Sequence, residues 1–411
     1  MRKKRQKTAK ILVRPLPWVV SFGVIAVLSS VMCWYVLDQA RSVHHISEQV
    51  SIALARYNAA SLMLHQRRHM HTDDMSDAAF PVAPLPRIDM TRMKRQGCVA
   101  DGLLSGYGNE EQNVKLLNRL PCYYVHRAVE TWKRVPDWTQ VDRIKAEIIR
   151  SPVIYGMFIA EAINTKAKYT DTQTGQRFQF KKMCKPGTRN RWGKNTCVPD
   201  FDRKEYRRYV TQIMKEAIDH GIQVFLIGQL QVQDAKRIEK SDVDHVLDDV
   251  RDYATLRGVD IKIGAQTNDI TDKDYLRLFD FIEGGIGLHA DGTIEDGPCF
   301  ARYLAQSNWC WALLWHENYR KARNIFVHLD WSGVQDDDMA TFAAMDADTR
   351  ARTLRTLYAF FTERNIGFLL PVMTALPHDH TGCHGNKVRY YSADNAYSCA
   401  DESVLREILT N

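Results

Sequence analysis

Polar side chains recur directly behind short apolar runs over the C-terminal two thirds of this chain, and they are types that handle protons and hydroxyl groups. Glu161 follows the run Val153–Ile159, Gln229 and Gln231 follow Gln223–Ile227, and Gln266, Asn268 and Asp269 follow Asp260–Ala265. Glu283 ends Phe279–Glu283, His316 and Glu317 follow Trp311–Trp315, and His328, Asp330 and Trp331 close the run Ile325–Leu329. Two carboxyls of unlike protonation can serve as general acid and as nucleophile or base. Amides and imidazoles bond hydroxyl groups, and a tryptophan face packs against the apolar face of a ring. The set therefore suits a polyhydroxylated substrate. Glu283 is the expected proton donor and Asp330 its partner carboxylate, with Glu161 and Glu317 as further catalytic candidates. Trp315 and Trp331 are the expected ring platforms, and His316, His328, Gln229, Gln266, Asn268 and Asp269 the hydroxyl-binding groups. Any one of these acids could equally cap a helix; their shared position is the signal.

That position needs a frame. An apolar run of four to eight residues bounded by turn signals reads as a buried strand. The runs above, with Gly367–Val372 and Val388–Tyr391, make eight. Helical stretches separate most of them. Phe201–His220 carries Tyr206, Tyr209, Ile213, Met214 and Ala217 on one face and ends at Gly221, and Ser241–Arg257 ends at Gly258. Asp346–Arg364 and Asp401–Leu409 follow, Asp401 standing as an N-cap. Strand–helix alternation at this count predicts an α/β fold, a (β/α)8 TIM-like barrel whose strand ends face one rim. One miscounted strand would give a seven-stranded or open doubly wound sheet instead. Neither GxGxxG nor GxxxxGK follows a strand, which argues against a nucleotide site, and no cofactor is expected. Residues 164–200, basic and aromatic with Arg177, Lys181, Lys182, Arg189, Arg191 and Trp192, and residues 284–310 are insertions expected to wall a cleft.

The 411 residues are 45% hydrophobic and 26% charged, an ordinary globular composition with a formal net charge of +7. Residues 1–16 hold seven Lys and Arg and no acid; removing those seven from the 56 basic residues leaves 49 against 49 acidic ones. The excess charge thus belongs to a tail, and no nucleic-acid partner is expected of the body. Pro17–Leu37 follows without a charge, long enough to span a hydrocarbon core of ~30 Å as a helix. With the basic flank before it, the N-terminus is expected in the cytoplasm and the body beyond the membrane; a cleaved signal peptide is the rival reading. Residues 43–64 carry a heptad seam, which reads as a homodimerising stalk or as one amphipathic helix on a surface. The expected organisation is a basic tail 1–16, a transmembrane helix 17–37, a juxtamembrane helix 38–66, a linker 67–96 and an extracytoplasmic barrel 97–411. Eight of the nine cysteines lie beyond the span, an even number that suits an oxidising compartment. Neighbour pairing (98–122, 184–197, 299–310, 383–399) is the expected connectivity.

The segments FDFIEGG, LLWHEN and FVHLDWSG on this frame resemble the broad superfamily of (β/α)8 glycoside hydrolases, including membrane-anchored ones that accompany bacterial exopolysaccharide secretion. The resemblance is architectural and covers roughly residues 150–411. It implies a membrane-anchored periplasmic hydrolase-like barrel at a bacterial inner membrane, acting on a polysaccharide, with secretion-complex subunits as partners. The commonest retaining pattern places an Asn-Glu pair after strand four and a Glu after strand seven. Here Ile282 precedes Glu283, and PVMTALPHDH carries no Glu, so no nucleophile transfers there. Two other classes stay open: a non-catalytic glycan-binding or scaffold subunit, and a metal-dependent polysaccharide deacetylase. The latter rests on His380, Thr381 and His384, which are similar to an H-[ST]-x-x-H motif; a polar rim loop tied by Cys383 is the simpler alternative, and no metal is expected.

Overall fold

Eight short parallel strands close on one another: β1 Gly97–Ala100, β2 Tyr124–Glu130, β3 Ile154–Ile159, β4 Val224–Ile227, β5 Lys262–Gln266, β6 Phe281–Gly285, β7 Ile325–His328 and β8 Gly367–Ala375. In this computed structural model of the chain each pairs with its neighbour in order, and β1 pairs with β8 through Cys98 and Leu370. The sheet is therefore a barrel, as expected. The structure describes residues 85–234, 242–267, 270, 272–294, 324–329, 338–376, 383, 390–394 and 399–410. All of them fall in the compact unit Ala83–Asn411.

The strands differ from expectation at both ends. β1 and β2 were not foreseen as strands. Val388–Tyr391, expected as the eighth, contributes only the short strand β9, Tyr390–Ser392, which runs antiparallel to β8 through Met373 and Ser392. Trp311–Trp315 lies outside the described residues. Glu283 accordingly lies in the middle of the sixth barrel strand, with Gly284 and Gly285 continuing the pairing, rather than at the end of the fourth. Residues 85–96, read as linker, belong to the body. Asp89 accepts from the Thr91 and Arg92 N–H groups and starts a helix over Met90–Arg95. Met93 from that helix is fully buried with Tyr124 and Leu369, closing the end of the barrel where the strands begin.

The helices follow from spacing and caps. Lys204–Asp219 buries Tyr206, Tyr209, Val210, Ile213, Met214, Ala217 and Ile218, the i, i+3, i+4 stripe of a helix laid on a sheet. Val243–Arg257 stops where Gly258 takes a left-handed conformation and returns its N–H to Ala254 and Thr255. Asp346 caps Ala347–Thr362 through the Thr349 N–H at 2.8 Å. The side chain of Asp401 is engaged by Arg350 Nε and the Tyr391 hydroxyl, each at 2.8 Å. Strand residues alternate between this helical shell and a second, smaller cluster that includes Ile154, Val224, Phe281 and Phe326 inside the barrel. Gly264 makes that inner packing possible, because a Cβ there would lie 2.2 Å from the Phe281 ring.

Three of the four expected disulfides lie within the described residues and all three form: Cys98–Cys122, Cys184–Cys197 and Cys383–Cys399. Cys299 and Cys310 lie outside them, as do the span 17–37 and the stretch 38–66. Among the described residues no helix is long and apolar enough to cross a membrane.

Candidate active site

Inside the barrel the apolar packing gives way to polar groups toward the C-terminal ends of the strands. Glu283 on β6 lies between two imidazoles: its Oε2 is 2.8 Å from His126 Nε2 on β2, and its Oε1 is 3.1 Å from His328 Nδ1 on β7. Gln266 on β5 donates from Nε2 to Glu283 Oε1 at 3.0 Å. The Tyr124 hydroxyl meets His126 Nδ1 at 2.7 Å. Every member of this group is at most 7% exposed. Burial alone would push the Glu283 carboxyl up, but the imidazoles of His328 and His126 hold it well below the usual carboxylate range. Burial also keeps His126 below the ordinary imidazole value, against the pull of Glu283. The group thus holds an ionised carboxylate between two imidazoles and the Gln266 amide, which suits positioning and charge better than proton donation.

A second group lies at the end of β2. Arg127 adopts a left-handed conformation (φ 55) where the pairing of β2 with β3 slips between Val125 and Val129. This bulge turns the Arg127 guanidinium onto the Phe158 ring at 4.1 Å and brings its Nε to 2.8 Å from Glu130 Oε1 and 3.2 Å from Asp101 Oδ1. Glu130 shares one cation with Asp101 in a dry place. Burial pushes its carboxyl up, Arg127 pulls it down, and the charges of Asp101 and Glu161 push it up again, to about 8. A carboxyl that keeps its proton at neutral pH is what a general acid requires.

Glu161 follows β3 and accepts from the Gln229 side-chain amide. Gln229 sits just after β4 with a positive φ of 34 although it is not glycine, a strained conformation of the kind that collects at functional sites. Its backbone N–H donates to Gln266 Oε1 at 3.2 Å. A continuous chain of hydrogen-bonding groups therefore runs from Glu161 through Gln229 and Gln266 to Glu283. Of the expected site residues, the structure brings together Glu161, Gln229, Gln266, Glu283 and His328. Asn268, Asp269, Trp315, His316, Glu317, Asp330 and Trp331 lie outside the described residues, as do His380 and His384.

Sequence reasoning missed Glu130, Asp101, Arg127 and His126, all of which depend on β1 and β2. It also missed Trp132, two residues beyond Glu130. The Trp132 ring lies 5.3 Å from that of Trp192, carried by the basic insertion, with Lys133 Nζ 5.4 Å from the Trp132 ring. The insertion is held in place by the ribbon Ile163–Asn164 with Thr196–Cys197 and by Cys184–Cys197. Phe178 and Phe180 add edge contacts to Tyr209 on the neighbouring helix.

No family model matches the chain, and no curated protein matches it. Solved structures do, at low identity. A glycoside hydrolase domain of PelA from Pseudomonas aeruginosa shares 13% identity at a TM-score of 0.38, the match covering 67% of this chain and 92% of that one. The isomalto-dextranase of Arthrobacter globiformis T6 shares 13% at 0.45 over 80% of this chain and 58% of that one. A β-L-arabinopyranosidase from Geobacillus stearothermophilus shares 8% at 0.29 over 47% and 54% respectively. The chain thus spans just over half the length of the latter two enzymes. The likeness is one of barrel architecture, and no residue role is carried over from it.

Proposed function

We propose that this chain is a glycoside hydrolase acting on a polysaccharide, with Glu130 as the proton donor and Glu161 as the partner carboxyl. The reading is supported by the buried cluster at the C-terminal end of β2, where Glu130 and Asp101 share the Arg127 Nε at 2.8 and 3.2 Å and burial pushes the Glu130 carboxyl up to about 8. The role expected of Glu283 as acid passes to Glu130, since Glu283 is held ionised; Glu283 then positions the chain Gln266–Gln229–Glu161. In the first step Glu130 gives its proton to the leaving glycosidic oxygen while the second carboxylate stabilises or attacks the anomeric carbon. The Trp132 and Trp192 rings, 5.3 Å apart where the chain leaves β2, offer an apolar face for a sugar. The basic tail, the uncharged span Pro17–Leu37 and the paired cysteines support a barrel anchored at a bacterial inner membrane and facing an oxidising periplasm. An exopolysaccharide in transit through that compartment, with the secretion complex as partner, fits such a place. Asp330 and Glu317 remain candidates for the partner carboxylate.

A second reading, a non-catalytic glycan-binding barrel, draws on burial: Glu130, Glu161 and Glu283 are at most 3% exposed. One experiment separates the two. Full-length protein in detergent is incubated with a panel of bacterial exopolysaccharides, and reducing ends and binding are both measured. Release of reducing ends that Glu130→Gln abolishes supports hydrolysis. Binding without release, unchanged in that variant, assigns the barrel to recognition.

A further inference from the structure

We propose that His126, Glu283 and His328 form a binding site for a divalent transition-metal ion in the barrel interior. Their three ligand atoms, one from each side chain, all lie within 4.8 Å of one another. The nitrogen–oxygen separations are 2.8 Å for His126 Nε2 and Glu283 Oε2 and 3.1 Å for His328 Nδ1 and Glu283 Oε1. An ion bonded to nitrogen and oxygen ligands at ~2.0–2.2 Å holds neighbouring ligand atoms about 3–3.5 Å apart, a spacing close to that of each imidazole from its own carboxylate oxygen. At 2.8 Å His126 Nε2 and Glu283 Oε2 are close enough for a hydrogen bond, yet neither atom has one in line.

The surroundings match the needs of a metal site. The Tyr124 hydroxyl at His126 Nδ1 fixes which ring nitrogen faces inward, and Gln266 Nε2 orients the carboxylate. The ligands come from β2, β6 and β7, three strands whose spacing the closed barrel sets. Two imidazoles and one carboxylate suit Zn²⁺, Fe²⁺, Co²⁺ or Ni²⁺, whereas Mg²⁺ and Ca²⁺ favour all-oxygen sets. Three protein ligands leave at least one coordination position for water or a bound oxygen ligand. Its ligands are distinct from Glu130 and Glu161, the residues proposed for hydrolysis, although Gln266 and Gln229 link Glu283 to Glu161.

The test uses full-length chain without a histidine tag, stripped with chelator and titrated with Co²⁺ and Zn²⁺. Stoichiometric Co²⁺ uptake with a visible ligand-field spectrum is expected, as is a melting temperature that rises with Zn²⁺ concentration. His126→Gln and His328→Gln should each lose both responses. Absence of uptake by the wild type overturns the proposal, as does stoichiometric uptake retained by His126→Gln, which would place the ion elsewhere, for instance at His378, His380 and His384. If the variants do not fold, X-ray absorption of the Co²⁺-loaded wild type decides: two imidazoles with oxygen ligands support the site, and any other imidazole number refutes it.

Discussion

His126 Nε2 on β2 and Glu283 Oε2 on β6 meet at 2.8 Å across the middle of the barrel, joining strands that stand four places apart in a closed ring of eight. Such a contact requires the interior to narrow to the reach of two side chains. The layer toward the strand starts, with Phe281 and Phe326 ring to ring at 5.2 Å, gives a dry floor. The layer above gathers its polar groups against one another, Tyr124 on His126 Nδ1 and Gln266 and His328 on Glu283 Oε1. Glu130 and Arg127 sit further along β2, so the frame of the site and its proposed acid share one strand.

The Glu130 proton sets the expected pH dependence. Turnover should fall on the alkaline side with a limb at about 8, as Glu130 ionises. Its stability effect follows the same shift. With the folded value raised above an unfolded ~4.3, stability is fully present below that pH and drains away as the pH rises through about 8. Glu130→Gln should therefore melt higher than the wild type at pH 8–9 and about level with it near pH 4, while turnover drops ~10²–10⁴-fold. Melting curves and initial rates across pH check both halves. A variant that melts lower at every pH would show that Glu130 is an ion-paired strut.

The N-terminal boundary of the body can be tested by truncation. Beginning the chain at residue 97 removes Met93, which is fully buried, and the Lys94 Nζ bonds to Asn365 O and Oδ1 at 3.0 and 3.2 Å. It also uncovers the floor of the barrel. The Met93 side chain alone is worth ~1.5–3 kcal/mol. A fragment starting at residue 97 should unfold at markedly lower urea concentration than one starting at 83; coincident curves would show that the helix Met90–Arg95 adds nothing.

The same strands explain what the sequence reveals and what it hides. Ile154–Ile159, Val224–Ile227 and Ile325–His328 are short, apolar and β-branched, so their boundaries can be read within two residues, and Gly221 and Gly258 mark the helix ends before β4 and β5. β1 is only Gly-Cys-Val-Ala, too short to register as a run. β2 reads Tyr-Val-His-Arg-Ala-Val-Glu; its inward positions are polar and its bulge at Arg127 breaks the two-residue period. A strand that lines a polar interior does not look like a buried strand, so the residues closest to the proposed chemistry are the hardest to see. Glu161, Gln229 and Gln266 were visible because each trails an apolar run, while the bond that joins Gln229 to Gln266 depends on a strained backbone that no residue type announces.

Gly264 offers a packing test remote from any titration. A Cβ there would lie 2.2–2.5 Å from three carbons of the Phe281 ring, itself buried against Phe326. Gly264→Ala should cost ~1–3 kcal/mol, the usual penalty of an overfilled core. Phe281→Leu in the same chain should recover part of it, and a double-mutant cycle in urea measures the coupling. Strictly additive losses would mean that the two residues do not compete for space.

Glu283→Gln should separate frame from chemistry by acting opposite in sign to Glu130→Gln. Glu283 is ionised between His126 and His328, so the amide removes a charge that two imidazoles face at 2.8 and 3.1 Å. It also sets an amide NH2 against at least one ring nitrogen and disturbs the bond from Gln266, which in turn holds the Gln229 backbone. Leaving buried polar groups without their partners typically costs ~1–3 kcal/mol, more where a charge is involved. The variant should therefore melt well below the wild type at neutral pH, with whatever turnover remains keeping its alkaline limb at about 8, because Glu130 still supplies the proton. Melting and a pH–rate profile on the same preparation read both quantities. If the variant is as stable as the wild type but its alkaline limb has moved or vanished, the proton belongs to Glu283 and the assignment to Glu130 fails.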